Sequence, residues 1–177
     1  DDGDVVVDVG AYLGVTSLTA AETAAKVYAI EPSPRAVLCL KANTTDVENI
    51  EVVQLAVSDT VTSTELQLGN RVADDSLITP DDGGSSGSVT VETTTVEELA
   101  SRLGLDAIDF LKVEVEGLEP EVVSGVGDLS VEKIVSTGNA ERYGETTYQD
   151  VAGILRDRGY AVDVDDEHSY DMVYAST

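Results

Sequence analysis

Short apolar runs alternate along the chain with segments whose apolar residues recur at helical spacing. The apolar runs cover residues 5–9, 26–30, 50–57, 108–115 and 131–137. Runs of this length and apolar content are typical of buried parallel strands. The intervening segments, for example residues 96–103, place their apolar side chains three and four positions apart, as in an amphipathic helix. Repeated strand–helix units predict a parallel sheet with helices on both faces.

Two regions depart from this alternation. Residues 61–92 are rich in Thr, Val, Ser and Gly, and we interpret them as a flexible loop between short strand-like pieces. Residues 160–164 and 170–175 predict a hairpin whose turn contains His168, the one histidine, which we expect to be solvated. Together the elements predict a single domain over residues 1–177. Its fold class is α/β, doubly wound and Rossmann-like, with a mostly parallel seven-stranded sheet and a C-terminal antiparallel hairpin.

Capping residues indicate where three of the helices begin. Ser33 precedes a proline, an arrangement in which the serine caps the helix and the proline takes its first position. Thr95 and Thr147 are each followed three residues later by an acidic residue, which is the spacing of a capping box. We therefore expect helices to begin after these three residues. Cys39, inside the helix that follows Ser33, is expected to be a buried structural thiol.

Acidic residues outnumber basic ones by 35 to 10, which gives a net charge of −25 at pH 7. They are spread along the chain, so we expect an acidic surface rather than an acidic tail. Such a surface repels itself in dilute buffer, whereas at molar salt the screening length falls to about 3 Å. We therefore predict a protein adapted to high internal salt, as in an extreme halophile. The same charge argues against nucleic acid as a partner, because phosphate binding needs basic patches.

No apolar run approaches the roughly 20 residues that a membrane-spanning helix needs, and the first apolar run is too short for a secretory signal. We therefore expect a cytoplasmic protein without a transmembrane segment. A single cysteine predicts neither a disulfide nor a thiolate metal cluster. The chain does not begin with methionine, and its first predicted strand begins at Val5. We expect a segment before residue 1 to belong to a longer precursor. The oligomeric state stays open.

The turn after the first predicted strand has the composition of a ligand-binding turn. Gly10 allows a sharp turn and a close approach of the ligand, Ala11 follows it, and Gly14 lies where the next helix begins. In an open α/β sheet, ligands bind at the carboxyl ends of the strands. Asp8 is therefore expected to point at the site, where its carboxylate suits a cationic group such as the amino group of a methionine moiety. We assign these four residues to cofactor binding.

The second predicted strand ends at Glu31, which Pro32 follows. A carboxylate at this place can accept hydrogen bonds from both ribose hydroxyls of an adenosine. NAD-binding enzymes use the same geometry, but the Gly-x-Gly-x-x-Gly spacing of a dinucleotide site is absent, because position 12 is tyrosine. The third predicted strand is followed by Ser58 and Asp59, where a carboxylate can accept a hydrogen bond from the adenine amino group. We assign these residues to cofactor binding as well, with a turn residue as the alternative for Asp59.

The fourth predicted strand ends in an acidic group that includes Glu114, Glu116 and Glu119. In a cleft, such carboxylates orient an acceptor hydroxyl or take its proton, and the alternative is a solvated loop of an acidic protein. We expect only one of Glu114 and Glu116 to face the cleft. Both are candidate catalytic residues, and Lys112 and Arg142 are candidate acceptor-binding residues. For Arg142, a salt bridge to a carboxylate is the alternative.

With these elements in this order, the chain resembles the FkbM family of methyltransferases from about residue 4 to residue 159. The resemblance is carried by residues 8–11 with Gly14, Ser17 and Leu18, by residues 30–32, 56–59 and 95–99, and by residues 111–117 with Glu119. The last motif is the most specific. The resemblance implies transfer of a methyl group from S-adenosylmethionine to a hydroxyl of a sugar, a glycan or another small molecule. It implies cofactor contacts from the Gly10 turn, Glu31 and Asp59, and a first strand placed between the second and the fourth.

Several positions depart from the family's pattern. Tyr12 stands where the family usually has Asn, Glu114 where it usually has Asp, and residues 136–139 where it often has Glu. Glu114 aligns with the family's acidic position, so the resemblance implies that it orients the acceptor or acts as its base, while Glu116 is expected to cap the turn. We also expect the family's N-terminal helices to be missing. Two alternatives stay open: a non-catalytic nucleoside- or cofactor-binding module of the same fold, and an NAD-binding oxidoreductase domain.

Overall fold

The computed structural model describes residues 2–72, 75–78, 85–138, 142, 144–166 and 171–177, without the side chains of residues 85 and 86. The predicted turn residue His168 lies outside the described residues. In chain order the elements are β1 (Val5–Val9), α1 (Val15–Ala21), β2 (Lys26–Ile30), α2 (Pro34–Thr44), β3 (Ile50–Val53), β4 (Ala56–Val57), β5 (Thr62–Gly69), β6 (Ser85–Thr94), α3 (Val96–Leu103), β7 (Ala107–Val113), α4 (Glu119–Ser124), β8 (Ser130–Thr137), α5 (Tyr148–Asp157), β9 (Ala161–Asp165) and β10 (Met172–Ser176).

Strand β1 lies inside a seven-stranded sheet whose order is β3-β2-β1-β7-β8-β10-β9. It pairs in parallel with β2, where Val7 is opposite Tyr28, and with β7, where Val7 is opposite Leu111. Strand β10 runs antiparallel to both of its neighbours, β8 and β9. The predicted fold class is therefore confirmed, including the seven mostly parallel strands, the position of the first strand and the C-terminal antiparallel hairpin.

Both faces of β1 are covered, which explains its continuous apolar run. On one face, Val7 and Val9 belong to a core cluster that also contains Leu99 of α3, Val122 of α4 and Leu155 of α5. On the other face, the apolar residues of β1 and β2 pack close to α1 and α2. This burial on two sides leaves the turns at the carboxyl ends of the strands as the exposed part of this region, and the candidate site lies there.

All three helices begin where the capping residues predict, and at two of the three positions the capping hydrogen bond is present. The Ser33 hydroxyl accepts a hydrogen bond from the N–H of Ala36, and the Thr95 hydroxyl accepts one from the N–H of Glu98. Thr147 is the first residue before α5, but the predicted capping box is wrong. Its backbone angles (φ −103°, ψ −8°) differ from the extended conformation of a cap, and its hydroxyl donates to Glu119 instead.

A second, smaller sheet replaces much of the loop that was predicted over residues 61–92. Strands β5 and β6 form an antiparallel hairpin, and β4 pairs in parallel with β6. Leu66 and Val91 pack with Ala56 on the buried face of this small sheet, so the apolar residues of that face decide the structure despite the polar composition. The third predicted strand is likewise divided, because residues 50–53 join the large sheet and residues 56–57 join the small one.

Cys39 is exposed on α2, so its predicted burial is wrong. The buried stripe of that helix is formed by Ala36, Val37 and Leu40, and it excludes position 39. None of the helices in the described parts of the chain is both long enough and apolar enough to cross a membrane.

Candidate functional site

A cavity of about 220 Å³ lies at the carboxyl ends of β1, β2 and β7. The ends of these strands and the turns after them form one side, and the small sheet with the segment that follows β5 forms the other. Six apolar residues surround one part of the cavity: Leu55, Ala56, Val57, Leu66, Val72 and Leu77. Four acidic residues line it as well: Glu31, Asp75, Glu114 and Glu116. An apolar compartment bordered by carboxylates suits an apolar ring system whose substituents donate hydrogen bonds.

The turn after β1, residues 10–14, contacts the loop that follows β7. Gly10 has a φ of 77°, and a Cβ at this position would lie 1.7 Å from the Glu114 carbonyl oxygen. Only glycine therefore permits the turn to touch the loop that follows β7. Gly10 lines the cavity, as predicted for a ligand-binding turn. Ala11 and Gly14 do not line it, because Ala11 packs in a cluster with Leu40 and a Cβ at Gly14 would lie 2.7 Å from Leu40 Cδ1.

Glu31 is buried at the end of β2, with 7% of its surface exposed, and it lines the cavity beside Pro32. One carboxylate oxygen accepts a hydrogen bond from the N–H of Ser33 at 2.8 Å, and the other accepts one from the N–H of Tyr12 at 2.9 Å. Burial raises the pKa of Glu31 above its usual value, although the two N–H donors act in the opposite direction. Tyr12 itself has a φ of 49°, which is uncommon for a residue with a side chain. The carboxylate is thus fixed, with acceptor capacity left for a ligand.

Asp8 and Lys112 form a buried ion pair under the turn, and neither residue lines the cavity. Asp8 is fully buried, and its oxygens lie 2.6 Å from the Ser17 hydroxyl and 3.0 Å from Lys112 Nζ. The expectation that Asp8 points at the site is wrong, because these partners already hold its carboxylate. Lys112, the candidate acceptor-binding residue, does not reach the cavity itself, because its ammonium group faces Asp8, the main chain and the Glu114 carboxylate.

The loop after β7, residues 114–118, supplies two acidic residues to the cavity. Strand β7 ends at Val113, and Glu114 and Glu116 both line the cavity. The expectation that only one of them faces the cleft is wrong, because residues two apart share a face even on an extended strand, and here the chain has already left strand β7. Glu116 instead adopts a left-handed conformation with a φ of 55°. The Glu114 side chain is 46% exposed, and one of its oxygens lies 3.1 Å from Lys112 Nζ.

Glu119, which begins α4, holds this loop in place. It is fully buried, and one carboxylate oxygen accepts hydrogen bonds from the N–H groups of Val115 and Gly117. The other oxygen accepts the hydrogen bond from Thr147. The third member of the acidic motif therefore stabilises the backbone that carries Glu114 and Glu116.

Ser58, Asp59 and Arg142 do not reach the cavity. Strand β4 runs beside β6, so the N–H of Ser58 donates to the Thr94 carbonyl at 2.8 Å and Asp59 is exposed to solvent. The two residues before Ser58, Ala56 and Val57, line the cavity instead. Arg142 binds both carboxylate oxygens of Glu121, at 3.1 and 2.6 Å, which agrees with the salt-bridge alternative for this residue.

Asp75 and Ser76 line the cavity and were missed in the sequence analysis. The Asp75 carboxylate accepts hydrogen bonds from the Ser33 hydroxyl at 2.6 Å and from the N–H of Gly69 at 3.0 Å, and it forms an ion pair with Arg35. The Ser76 hydroxyl lies 3.2 Å from the carbonyl oxygen of Glu116. These contacts attach the small sheet to α2 and to the loop after β7. Their only sequence signal is the polar cluster between Val72 and Leu77, which by itself indicates a loop.

The comparison with protein families matches residues 8–162 to the methyltransferase FkbM domain. The chain belongs to the FkbM family of methyltransferases. This result confirms the resemblance seen in the motifs, and membership of a methyltransferase family does not fit the alternative of an NAD-binding oxidoreductase domain. Among the described residues, no group of three or more His, Cys, Asp or Glu side chains is placed to hold a metal ion.

Solved structures share the fold at low sequence identity. Methyltransferase FkbM from Methylobacillus flagellatus KT is 16% identical with a TM-score of 0.66, and the match covers 98% of this chain and 44% of that one. The precorrin-6y C5,15-methyltransferase from Geobacter metallireducens GS-15 is 16% identical with a TM-score of 0.63, over 100% and 82% of the two chains. Aeropyrum pernix fibrillarin, solved with natively bound S-adenosyl-L-methionine, is 16% identical with a TM-score of 0.63, over 99% and 67%. The chain thus spans less than half of the Methylobacillus structure, and no curated protein matches its sequence.

Proposed function

We propose that this chain is an O-methyltransferase that acts on a hydroxyl of a sugar, a glycan or another small molecule, with S-adenosylmethionine as methyl donor. One observation carries the proposal: a buried carboxylate, Glu31, and an accessible one, Glu114, lie in one cavity on either side of the turn at Gly10. Glu31 has the place of an adenosine-binding residue in an α/β sheet. Glu114 has the place of a residue that orients the acceptor.

The surroundings of Glu31 fit the adenosine half of the cofactor. Each carboxylate oxygen accepts one main-chain hydrogen bond and retains acceptor capacity for a ribose hydroxyl. Pro32 and the apolar residues Leu55 and Val57 provide a surface for the adenine ring. We place the methionine half against the turn at Gly10, between Glu31 and Glu114.

In the reaction, the protein mainly positions two partners in line. S-adenosylmethionine supplies a methyl group that is activated by its bond to a positively charged sulfur. Glu114 would accept a hydrogen bond from the acceptor hydroxyl and would take its proton as that oxygen receives the methyl group and S-adenosylhomocysteine leaves. The surrounding apolar residues exclude water, which would otherwise compete as an acceptor. Glu116 lies beside Glu114 in the cavity and orients the loop through its main chain.

Calorimetry tests the cofactor half of the proposal. In buffer with molar KCl, the protein should bind S-adenosylhomocysteine and should not bind NAD. Methyl transfer from radiolabelled S-adenosylmethionine to a panel of methyl glycosides and extracted glycans then tests the acceptor half. Cofactor binding without transfer to any member of the panel would favour the non-catalytic module, which the departures at Tyr12 and Glu114 motivate.

A pair of matched variants tests the role of Glu114. Glu114→Gln should lower turnover substantially and leave the Kd for S-adenosylhomocysteine nearly unchanged, because the amide cannot take the proton. Glu116→Gln should retain most of the activity. The opposite result would exchange the two roles, and full activity in both variants would show that these carboxylates belong to the acidic surface.

The excess of acidic residues supports a second, independent part of the proposal. We propose that this charge adapts the protein to a cytoplasm of high salt and keeps nucleic acids from binding, since self-repulsion and phosphate repulsion both act at low salt. The dependence of thermal stability on KCl, described below, tests the adaptation.

A further inference from the structure

Lys112 differs from the other lysines of this chain in its burial. Only 11% of its side chain is exposed. The side chains of Lys26 and Lys133 are 33% and 42% exposed, and Lys41 is exposed as well. Burying an ammonium group is costly unless its donors are paired. Solubility and surface charge therefore do not explain why a lysine lies under the turn at Gly10.

The ammonium group of Lys112 contacts three separate parts of the site. Its Nζ lies 3.0 Å from an Asp8 oxygen at the end of β1, 2.8 Å from the Gly10 carbonyl oxygen in the turn, and 3.1 Å from a Glu114 oxygen in the loop after β7. The Val9 carbonyl oxygen lies 3.5 Å from the same atom, so the three donors of the ammonium group face four oxygen atoms. Charge balance for Asp8 alone would require only the first contact.

We propose that Lys112 is a positioning residue, which fixes the turn at Gly10 and the Glu114 carboxylate at a set distance from each other. The inference rests on the proposed function, in which the turn holds the cofactor and Glu114 orients the acceptor. Glu114 is 46% exposed, and an unrestrained glutamate of this kind samples several rotamers. The contact with Lys112 selects the rotamers in which one oxygen points under the turn and the other remains available to the acceptor.

Asp8 has a supporting part in this arrangement. Its carboxylate, held by Ser17 at 2.6 Å, compensates the charge of Lys112. The positive charge of the lysine is thereby offset close to the place where a positively charged sulfur would lie. A chain of contacts runs from Ser17 through Asp8 and Lys112 to Glu114, which links helix α1 to the cavity.

The test removes the lysine without leaving a buried charge unpaired. The variant Asp8→Asn/Lys112→Met eliminates both charges, because removing one partner alone is strongly destabilising. The matched control, Lys26→Met/Glu51→Gln, eliminates an ion pair of 3.0 Å between β2 and β3, away from the cavity. Thermal unfolding reports the fold of each variant, and calorimetry with S-adenosylhomocysteine reports the position of the turn.

We expect the Asp8→Asn/Lys112→Met variant to unfold within a few degrees of the native protein but to bind S-adenosylhomocysteine about tenfold more weakly, since the Gly10 carbonyl loses a charged donor. The control should bind as tightly as the native protein. Native affinity in the Asp8→Asn/Lys112→Met variant would overturn the proposal and leave Lys112 as a counter-ion of Asp8. Failure of the native protein to bind would instead refute the proposed function. If the double variant does not fold, Asp8→Asn/Lys112→Gln takes its place in the same assay.

A kinetic cycle gives a second readout that a purely structural role would not affect. With an acceptor from the glycoside panel, Asp8→Asn/Lys112→Met should lower kcat in the native background by at least tenfold. In the Glu114→Gln background, the same two substitutions should change kcat by less than threefold, because the residue through which Lys112 acts is already lost. Equal effects in both backgrounds would contradict the link between the two residues.

Discussion

Replacing Glu31 by glutamine changes the chemistry of the cavity while it keeps the size of the side chain. In the native protein, the two carboxylate oxygens accept hydrogen bonds from the N–H groups of Ser33 and Tyr12. A glutamine offers one oxygen and one NH₂ group. Its NH₂ group therefore faces one of the two N–H donors, and that main-chain hydrogen bond is lost.

The cost to the fold follows from these contacts. A buried donor that loses its partner destabilises the protein by about 1–3 kcal/mol. Part of this loss in stability is offset, because burial disfavours the charge on Glu31, as its raised pKa indicates, and the substitution removes that charge. We expect the free energy of unfolding of Glu31→Gln to fall by about 1–2 kcal/mol. For a chain of this size, the corresponding decrease in Tm is about 2–8 °C.

The substitution Glu31→Gln should also weaken the binding of the cofactor. Hydrogen bonds from ribose hydroxyls to a carboxylate are about twice as strong as those to a neutral acceptor, and glutamine can accept only one of them. A loss of about 1.4–2.8 kcal/mol corresponds to a Kd for S-adenosylhomocysteine that is about 10- to 100-fold higher. The exposed Glu48 gives a control of the same chemistry, since Glu48→Gln removes a charge without touching the cavity.

Calorimetry with two ligands isolates the ribose contact. S-adenosylhomocysteine and its 2′-deoxyadenosine analogue should differ clearly in affinity for the native protein and for Glu48→Gln. The difference should shrink by at least 0.5 kcal/mol, or about 2.3-fold, in Glu31→Gln, because the partner of the hydroxyl is altered. If the native protein and Glu31→Gln lose the same affinity on removal of the hydroxyl, Glu31 does not contact the ribose, and the placement of the adenosine is refuted.

The remaining predictions concern pH, the turn and salt. Because burial raises the pKa of Glu31, the affinity for S-adenosylhomocysteine should fall as the pH decreases through the weakly acidic range, which calorimetry can measure. For the same reason, the contribution of Glu31 to the stability of the unliganded protein should fall as the pH rises through that range, which thermal unfolding can measure. Glu31→Gln should flatten both pH profiles. Gly10→Ala should lower the free energy of unfolding by at least about 2 kcal/mol, since its Cβ meets the Glu114 carbonyl at a φ of 77°; an unchanged urea midpoint would contradict the close approach. Between low and molar KCl, Tm should rise, because the net charge of −25 is screened; a constant Tm would argue against salt adaptation.

The sequence is most informative where burial on both faces leaves a continuous apolar run. Strand β1 could be predicted to its exact bounds for this reason. The hairpin of β5 and β6 could not, because only one of its faces is buried and Thr, Ser and Gly dominate its composition. Its packing partners, Leu66 and Val91, are 25 residues apart in the chain.

The candidate site was predictable to the level of segments but not of side-chain directions. Glu31 was found because an acidic residue at the end of a buried strand is unusual. Asp8 and Lys112 occupy neighbouring strands, and their mutual attraction turns both away from the cavity, which a pattern along one strand cannot reveal. Asp75 lies 44 residues beyond Glu31, and its position depends on Arg35, so only the folded chain brings it to the cavity.

The two sides of the cavity differ in how freely their sequences can change without disturbing the fold. Insertion of a residue into β1 would move the following side chains to the opposite packed face and disrupt the core on both sides, so the side that carries Glu31 and the turn at Gly10 is constrained by folding itself. The small sheet is joined to that core by Val57 of β4, which packs in the main core cluster, and by polar contacts of Asp75 and Ser76. Lengthening or shortening its hairpin would therefore reshape the opposite wall without disturbing strand register. Variation in the length of this hairpin can thus change the shape of the cavity, while the fold that carries Glu31 and the turn at Gly10 stays the same.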